Sequence, residues 1–309
     1  MVTPEPIGYH EPVMVSEVLH YLNPSRSGVF LDGTLGGGGH AEALLRSSGG
    51  AELIGVDQDP EAIAAARERL AAFAGRTRLV MANFLEAVAG VEEESLAGAL
   101  LDLGVSSHQI DQAERGFTFR TGAPLDMRMR GESGGVTAAD LLNDLSAEDL
   151  AEIFFRYGEE QRSRRLAREV VAQREVTPMT SSDQLVMAIE RAIPGATPQD
   201  RARIFQALRI AVNRETEVLE SALPLIRDAL APGGVLVVLS YHSLEDRMVK
   251  NAFREWSREC ICPPRLPVCR CRGKALGVTL TRKPVSATPA EIATNPRSRS
   301  ARLRAWQRA

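Results

Sequence analysis

Four short apolar runs, at residues 28–33, 52–56, 78–82 and 98–103, punctuate the first third of the chain, with helix-forming stretches between them. Strands separated by helices of about ten to fifteen residues predict a parallel sheet with right-handed crossovers. The first run, GVFLDG, reaches Asp32 and opens into TLGGGGH, after which AEALLRSS reads as a helix. The second ends on Asp57. Asp59, Pro60 and Glu61 then predict a helix start: a side-chain cap, a proline in the first turn and an acid at the positive dipole end. The alanine-rich stretch that follows is a strong helix former.

Beyond residue 108 strand signal fades. Residues 115–130 (RGFTFRTGAPLDMRMR) read as an irregular loop, and several helices follow, one capped by Ser146 and one long helix over residues 200–223. Strand signal returns at residues 234–241 after the turn Ala231-Pro232-Gly233, and again at 277–282. The expected organisation is α/β, with a Rossmann-like sheet interrupted by an all-helical insertion. Residues 1–108 form the first part of the sheet domain, 109–213 the insertion, and 214–309 the second part with a cysteine loop and a basic tail. A chain of 309 residues suits about two domains.

Charge is unevenly spread. The net charge of −3 hides 15 Lys and Arg against three acids from Arg247 onward, a local +12 that leaves −15 on the preceding residues. That split suggests an anionic partner at the C-terminal end. Arg297, Arg299, Arg302 and Arg304, interleaved with serines and close to Trp306, suit phosphate contacts and base stacking. The competing reading pairs these arginines with the acidic body. No apolar run approaches the roughly 18 residues of a membrane span, and the first basic residue is Arg26, so neither membrane insertion nor a signal peptide is expected. The expected compartment is the cytoplasm.

In open α/β sheets ligands bind beyond the carboxyl ends of the strands. Four features fall there: Asp32 with its glycine run, Asp57, the Asn83-Phe84 pair, and Asp102. Glycines admit close approach of a ligand to the backbone. A carboxylate about 20 residues further on can accept from a ribose diol, and Phe84 can offer a face to an adenine. Each has a plainer reading as a turn, a cap or a core residue, but their recurrence points to an adenosine-containing cofactor. The run GGGG fits G-x-G-x-x-G poorly, and no G-x-x-x-x-G-K-[ST] is present. An acid ahead of the glycines suits the cationic methionine end of S-adenosylmethionine better than a pyrophosphate. Methyl transfer therefore ranks above hydride transfer by a nicotinamide-dependent oxidoreductase, against which the basic arginine tail also speaks, while the glycine loop with its acids speaks against a third reading, a non-catalytic ribosome-binding factor.

DGTLGGGGH, VDQDP, LDLGVSS, RGFTFR with DMRM, YGEE, RIFQALRIAVNRE, SYHSLEDR and NPRSRSARLR are similar to the bacterial small-subunit (16S) ribosomal RNA cytosine-N4 methyltransferase family. The resemblance runs along nearly the whole chain. It implies a class I methyltransferase sheet with an inserted helical domain, S-adenosylmethionine as donor, and a cytosine in the ribosomal decoding region as acceptor. The partner implied is 16S ribosomal RNA within the small subunit, and not DNA. By the same resemblance Gly38, Gly39 and His40 hold the methionine end and Asp57 the ribose, while Phe84, Asp102 and Gln109 complete the pocket. His108 stands where the family usually has proline.

Methylating an exocyclic amine calls for in-line positioning and an acceptor for its proton. Candidates are Asp102, Ser106, Ser107 and His242, the last also readable as a helix cap. The chain's four cysteines all fall in one loop, as Cys260-x-Cys262 and Cys269-x-Cys271. Disulfides are disfavoured in the cytosol, which leaves a structural zinc on four thiolates or a bare thiol cluster.

Overall fold

The computed structural model describes residues 12–133, 135–263, 268 and 270–309. They form two compact units. One comprises the described residues up to Gly104 together with Glu217–Ala309, and the other Val105–Thr216.

The first unit begins with α1 (Val15–Leu22), β1 (Gly28–Asp32), α2 (Gly39–Ser47) and β2 (Ala51–Asp57). It continues through α3 (Pro60–Arg69), β3 (Thr77–Met81), α4 (Phe84–Val88) and β4 (Leu96–Asp102). In the second unit α5 (Ser107–Asp111), α6 (Ala138–Asp144), α7 (Ala147–Arg156), α8 (Ser163–Arg174), α9 (Ser182–Ala192) and α10 (Pro198–Asn213) follow, with no named strand among the described residues. The chain then runs through α11 (Glu215–Ala229), β5 (Leu230–Ser240), α12 (Ser243–Trp256), β6 (Gly277–Thr279), β7 (Val285–Ser286), α13 (Pro289–Thr294) and β8 (Arg302–Arg308).

The strands join in the order β3-β2-β1-β4-β5-β8-β6, with β7 also on β8. β1 to β5 are mutually parallel, and β8 runs antiparallel to its neighbours. This is the α/β sheet expected of a class I methyltransferase. Successive strand residues point to opposite faces, so each strand feeds two cores. Phe30, Leu100, Val237 and Leu239 pack with the residues of α1 to α3. Leu31, Leu101, Leu236 and Val238 pack with α11 and α12. Asp59 caps α3 as expected, its side chain accepting from the Glu61 N–H beside Pro60.

The structure corrects several expectations. The basic C-terminal stretch is not a tail: residues 302–308 are β8, hydrogen-bonded along β5. Trp306 is fully buried, edge-on to Trp256 at 5.1 Å between ring centroids, with its indole N–H donated to Ser257 Oγ. It cannot stack on a base. Arg304 is 6% exposed and grips Asp246 with two hydrogen bonds of 2.7 and 3.1 Å. A sheet covered on both faces buries consecutive residues, which is why β8 lacks the alternation that marks a strand. The turn at residues 231–233 lies inside β5, where the register with β4 shifts between Leu96 and Gly98.

In the second unit the expected long helix is two helices, because Arg214 adopts a left-handed conformation and ends α10. Next to the break, Asn213 donates to Met127 O and accepts from Met129 N–H. Arg115 donates to Met129 O as well. The irregular RGFTFR-DMRM segment is thereby pinned, and its Leu125 and Met127 join the helical core. Among the described residues no helix is long and apolar enough to cross a membrane.

Candidate functional site

The site is built at the carboxyl ends of β1, β2 and β4, where three carboxylates face the glycine turn. Asp32 closes β1 and is 3% exposed. Its Oδ1 accepts the Thr34 N–H at 3.2 Å, and the Thr34 hydroxyl oxygen accepts the Asp102 N–H. The ends of β1 and β4 are thus tied through one threonine. Burial, reinforced by the nearby Asp102 and Asp57 charges, pushes the Asp32 pKa up to about 7.

Asp57 does more than present a carboxylate. Its Oδ2 accepts the Gly36 N–H at 2.8 Å and its Oδ1 the Asp59 N–H at 2.9 Å. The side chain therefore fastens the glycine turn to the end of β2, and burial still raises its pKa to about 6. Gly36 sits at φ +51°, and a Cβ there would project into open space. Gly39 is different: a Cβ would strike Pro12 at 2.9 Å, so this glycine serves close packing. Gly38 is the N-cap of α2. Gly36 is open to a ligand, and the reading by resemblance passed over it; its spacing of 21 residues from Asp57 was the available signal.

His40, in the first turn of α2, is 7% exposed. Its Nε2 lies 2.8 Å from Val13 O. A carbonyl only accepts, so Nε2 carries the hydrogen and, in the neutral ring, Nδ1 presents a lone pair. That Nδ1 lies 3.7 Å from Asp102 Oδ2. The other oxygen of Asp102 accepts the Tyr241 hydroxyl at 2.8 Å. Burial raises the Asp102 pKa; His40 and Tyr241 offset part of that rise. Burial and the same carboxylate hold the Tyr241 phenol protonated. Sequence reading missed Tyr241, although it stands beside His242.

Tyr241 N–H donates to Glu245 Oε2 at 3.0 Å, anchoring the turn into α12. His242 occupies the N-cap position of α12, yet its side chain makes no capping bond. Its Nε2 lies 3.0 Å from Glu245 Oε1, but the alignment makes no hydrogen bond, and both ring nitrogens are buried without one. Phe84 opens α4 behind a reciprocal cap formed by Asn83 and Glu86.

Ser106 and Gln109 belong to the second unit. Ser106 Oγ accepts the Gln109 N–H, and Gln109 Oε1 accepts the Ser106 N–H, a capping box that starts α5. Both side chains thus have a structural task. Ser107 is the first residue of α5, and its side chain lies outside the described residues. Cys260, Cys262 and Cys271 come together in the loop after α12, while Cys269 lies outside the described residues.

The arrangement offers concentrated negative charge, one glycine turn open to a ligand, and a carboxylate–imidazole pair able to take up a proton. Comparison with known proteins gives the family. A sequence model of the MraW methylase family matches residues 8–309. The ribosomal RNA small subunit methyltransferase H of Gemmatimonas aurantiaca is 54% identical over 306 residues, covering 97% of this chain and 96% of that protein. Its namesake from Heliobacterium mobile is 50% identical over 309 residues, covering 97% and 99%. That from Geobacter sulfurreducens is 50% identical over 307 residues, covering 97% and 98%. With a match along almost its whole length, this chain belongs to the MraW methylase family.

Proposed function

We propose that the chain transfers a methyl group from S-adenosylmethionine to the exocyclic N4 of a cytosine in the decoding region of 16S ribosomal RNA, within the small ribosomal subunit. Family membership sets aside the nicotinamide-dependent oxidoreductase and the non-catalytic factor. The observation that carries the cofactor is the set of acids at adjoining strand ends, Asp32 buried and Asp57 and Asp102 half-buried. Asp32, Asp57 and Asp102 all have raised pKa values at adjoining strand ends. Such a cluster is unfavourable without a cation, and S-adenosylmethionine carries two positive groups, an amine and a sulfonium. A pyrophosphate would add to the repulsion.

When bound, S-adenosylmethionine supplies an electrophilic methyl group. Gly36 and His40 would line the methionine side, with Gly38 and Gly39 shaping the turn behind them, Asp57 would meet the ribose, and Phe84 would offer a face to the adenine. The N4 amine that accepts this methyl group would become cationic at nitrogen. The amine then sheds a proton. Asp102 is the acceptor proposed for it, with His40 Nδ1 alongside to share the charge and Tyr241 holding the carboxylate in place. His242, with its Nε2 3.0 Å from Glu245 Oε1 and neither ring nitrogen hydrogen-bonded, is the second candidate acceptor. Ser106 and Ser107 rank below both.

Calorimetric titration of S-adenosylmethionine into wild type, Asp32→Asn and Asp102→Asn tests the charge argument. Each neutralised carboxylate is expected to weaken binding about tenfold or more, the equivalent of roughly 1.4 kcal/mol. Unchanged affinity in both folded variants contradicts it.

A further inference from the structure

The loop after α12 gathers Cys260, Cys262 and Cys271 so that their sulfurs all lie within 4.8 Å of one another. Cys260 Sγ and Cys271 Sγ are 3.8 Å apart. Sulfurs at the corners of a tetrahedron with Zn–S bonds of about 2.3 Å are separated by about 3.8 Å. A disulfide needs about 2.05 Å, and none of the three is in one.

The backbone around the sulfurs points the same way. Ile261 N–H is directed at Cys271 Sγ at 3.3 Å, and Arg270 N–H at Cys262 Sγ at 3.4 Å. The N–H after the first cysteine thus serves the last sulfur, and the N–H before the last cysteine serves the second. Donors aimed at sulfur favour a thiolate over a thiol, and thiolates are what a soft cation requires. The loop is also held from below. Arg272 donates to Glu255 Oε1 at 2.8 Å and to the carbonyls of Glu255, Arg258 and Lys274. That clamp fixes the second arm of the cluster against the end of α12.

Packing does not account for the cluster. Cysteine gathers in cores as a small apolar side chain, yet Cys260 is exposed and the other two are half-buried. The chain has no cysteine outside this loop. We propose that Cys260, Cys262 and Cys271 ligate one thiophilic divalent cation of the zinc class, which closes the loop onto α12. This site is separate from the methyl-transfer chemistry and stands without it.

The test uses the full chain. Protein purified without chelator is assayed for metal by mass spectrometry, then stripped and titrated with Co²⁺ alone. About one metal per chain is expected, with an intense near-ultraviolet thiolate-to-cobalt band and the visible absorption of a tetrahedral ion. Cys260→Ser, Cys262→Ser and Cys271→Ser should each weaken Co²⁺ binding at least tenfold. S-adenosylmethionine titration and far-ultraviolet circular dichroism establish that each variant is folded. Should a variant fail to fold, chelator treatment of wild type gives the second readout: the melting temperature falls and returns on adding Zn²⁺. A wild type that binds no more Co²⁺ than the triple serine variant overturns the proposal. So does a chelator-insensitive melt, or a disulfide among these cysteines in protein purified under reducing conditions.

Discussion

Tyr241 donates its phenolic hydrogen to Asp102 at 2.8 Å, joining two strand ends that lie 139 residues apart in sequence. The bond gives a half-buried carboxylate a side-chain donor on one oxygen, with His40 Nδ1 3.7 Å from the other. It makes Tyr241 a positioning residue for the proposed proton acceptor. Removing the hydroxyl in Tyr241→Phe loses a hydrogen bond to a charged group, of roughly 1.5–3 kcal/mol. Without that donor the Asp102 pKa should rise further above its ordinary value. The acidic limb of the single-turnover methylation rate should move upward in pH accordingly. A merely structural tyrosine would lower the melting temperature and leave that limb where it was.

The raised pKa values couple cofactor binding to pH. Asp32 at about 7 and Asp57 at about 6 both stand above their unfolded value of about 3.8. The sign follows from linkage: in the folded chain these groups hold their protons more tightly. The stability they contribute is full below pH ~4 and is lost as pH rises through about 6 and 7. A cationic ligand favours the ionised carboxylates, so its binding releases protons. Affinity for S-adenosylmethionine should climb between pH 5.5 and 7.5 by up to about tenfold per unit for each proton released. S-adenosylhomocysteine lacks the sulfonium charge and should climb less. Calorimetry of both ligands in two buffers of different ionisation enthalpy reads the proton count. Identical pH dependence for the two would remove the electrostatic role.

Gly36→Ala separates a ligand-facing glycine from a packing one. The left-handed conformation costs alanine about 1–2 kcal/mol, but no atom lies within 4 Å of the new methyl. The variant should fold with a modestly lower melting temperature and bind S-adenosylmethionine at least tenfold more weakly. Gly39→Ala should chiefly destabilise, because its methyl meets Pro12. Normal cofactor affinity in Gly36→Ala would move the ligand away from this turn.

The alternation of apolar runs and helix formers was enough to read the parallel half of the sheet, since each strand and its crossover are contiguous in sequence. Asp59 ahead of Pro60 and Ser146 ahead of α7 were equally legible, because a cap acts on its own first turn. The fates of Arg304 and Trp306 were not. Their partners Asp246 and Trp256 lie 58 and 50 positions away, and a strand buried on both faces carries no period-two signature. Asp57 was legible as a strand-end acid but not as the clamp on Gly36, and Tyr241 gained its meaning only from the fold. The break at Arg214 left no mark, since arginine does not announce a left-handed conformation.

The burial of β8 changes what its arginines should do. Arg304→Ala takes the bidentate partner from Asp246 and leaves it the 3.6 Å contact with Arg302, a loss of roughly 1.5–3 kcal/mol. The melting temperature should fall, with the salt dependence of RNA binding unchanged. Arg299 is exposed, so Arg299→Ala should melt as wild type and flatten the logarithmic salt slope by about 0.7 if it meets a phosphate. Binding of a small-subunit ribosomal RNA fragment at several salt concentrations, beside thermal melts, reads both. An Arg304→Ala variant of unchanged stability and flattened slope contradicts the structural assignment.

The central claim is the methylation itself. Small ribosomal subunits from a strain lacking this chain's gene, incubated with the purified protein and S-adenosylmethionine labelled in its methyl group, are digested to nucleosides and analysed by mass spectrometry. The account predicts labelled N4-methylcytidine from the decoding region, absent when the protein is omitted and strongly reduced with Asp102→Asn. Label at cytosine C5, on another nucleoside, or nowhere in the RNA contradicts it.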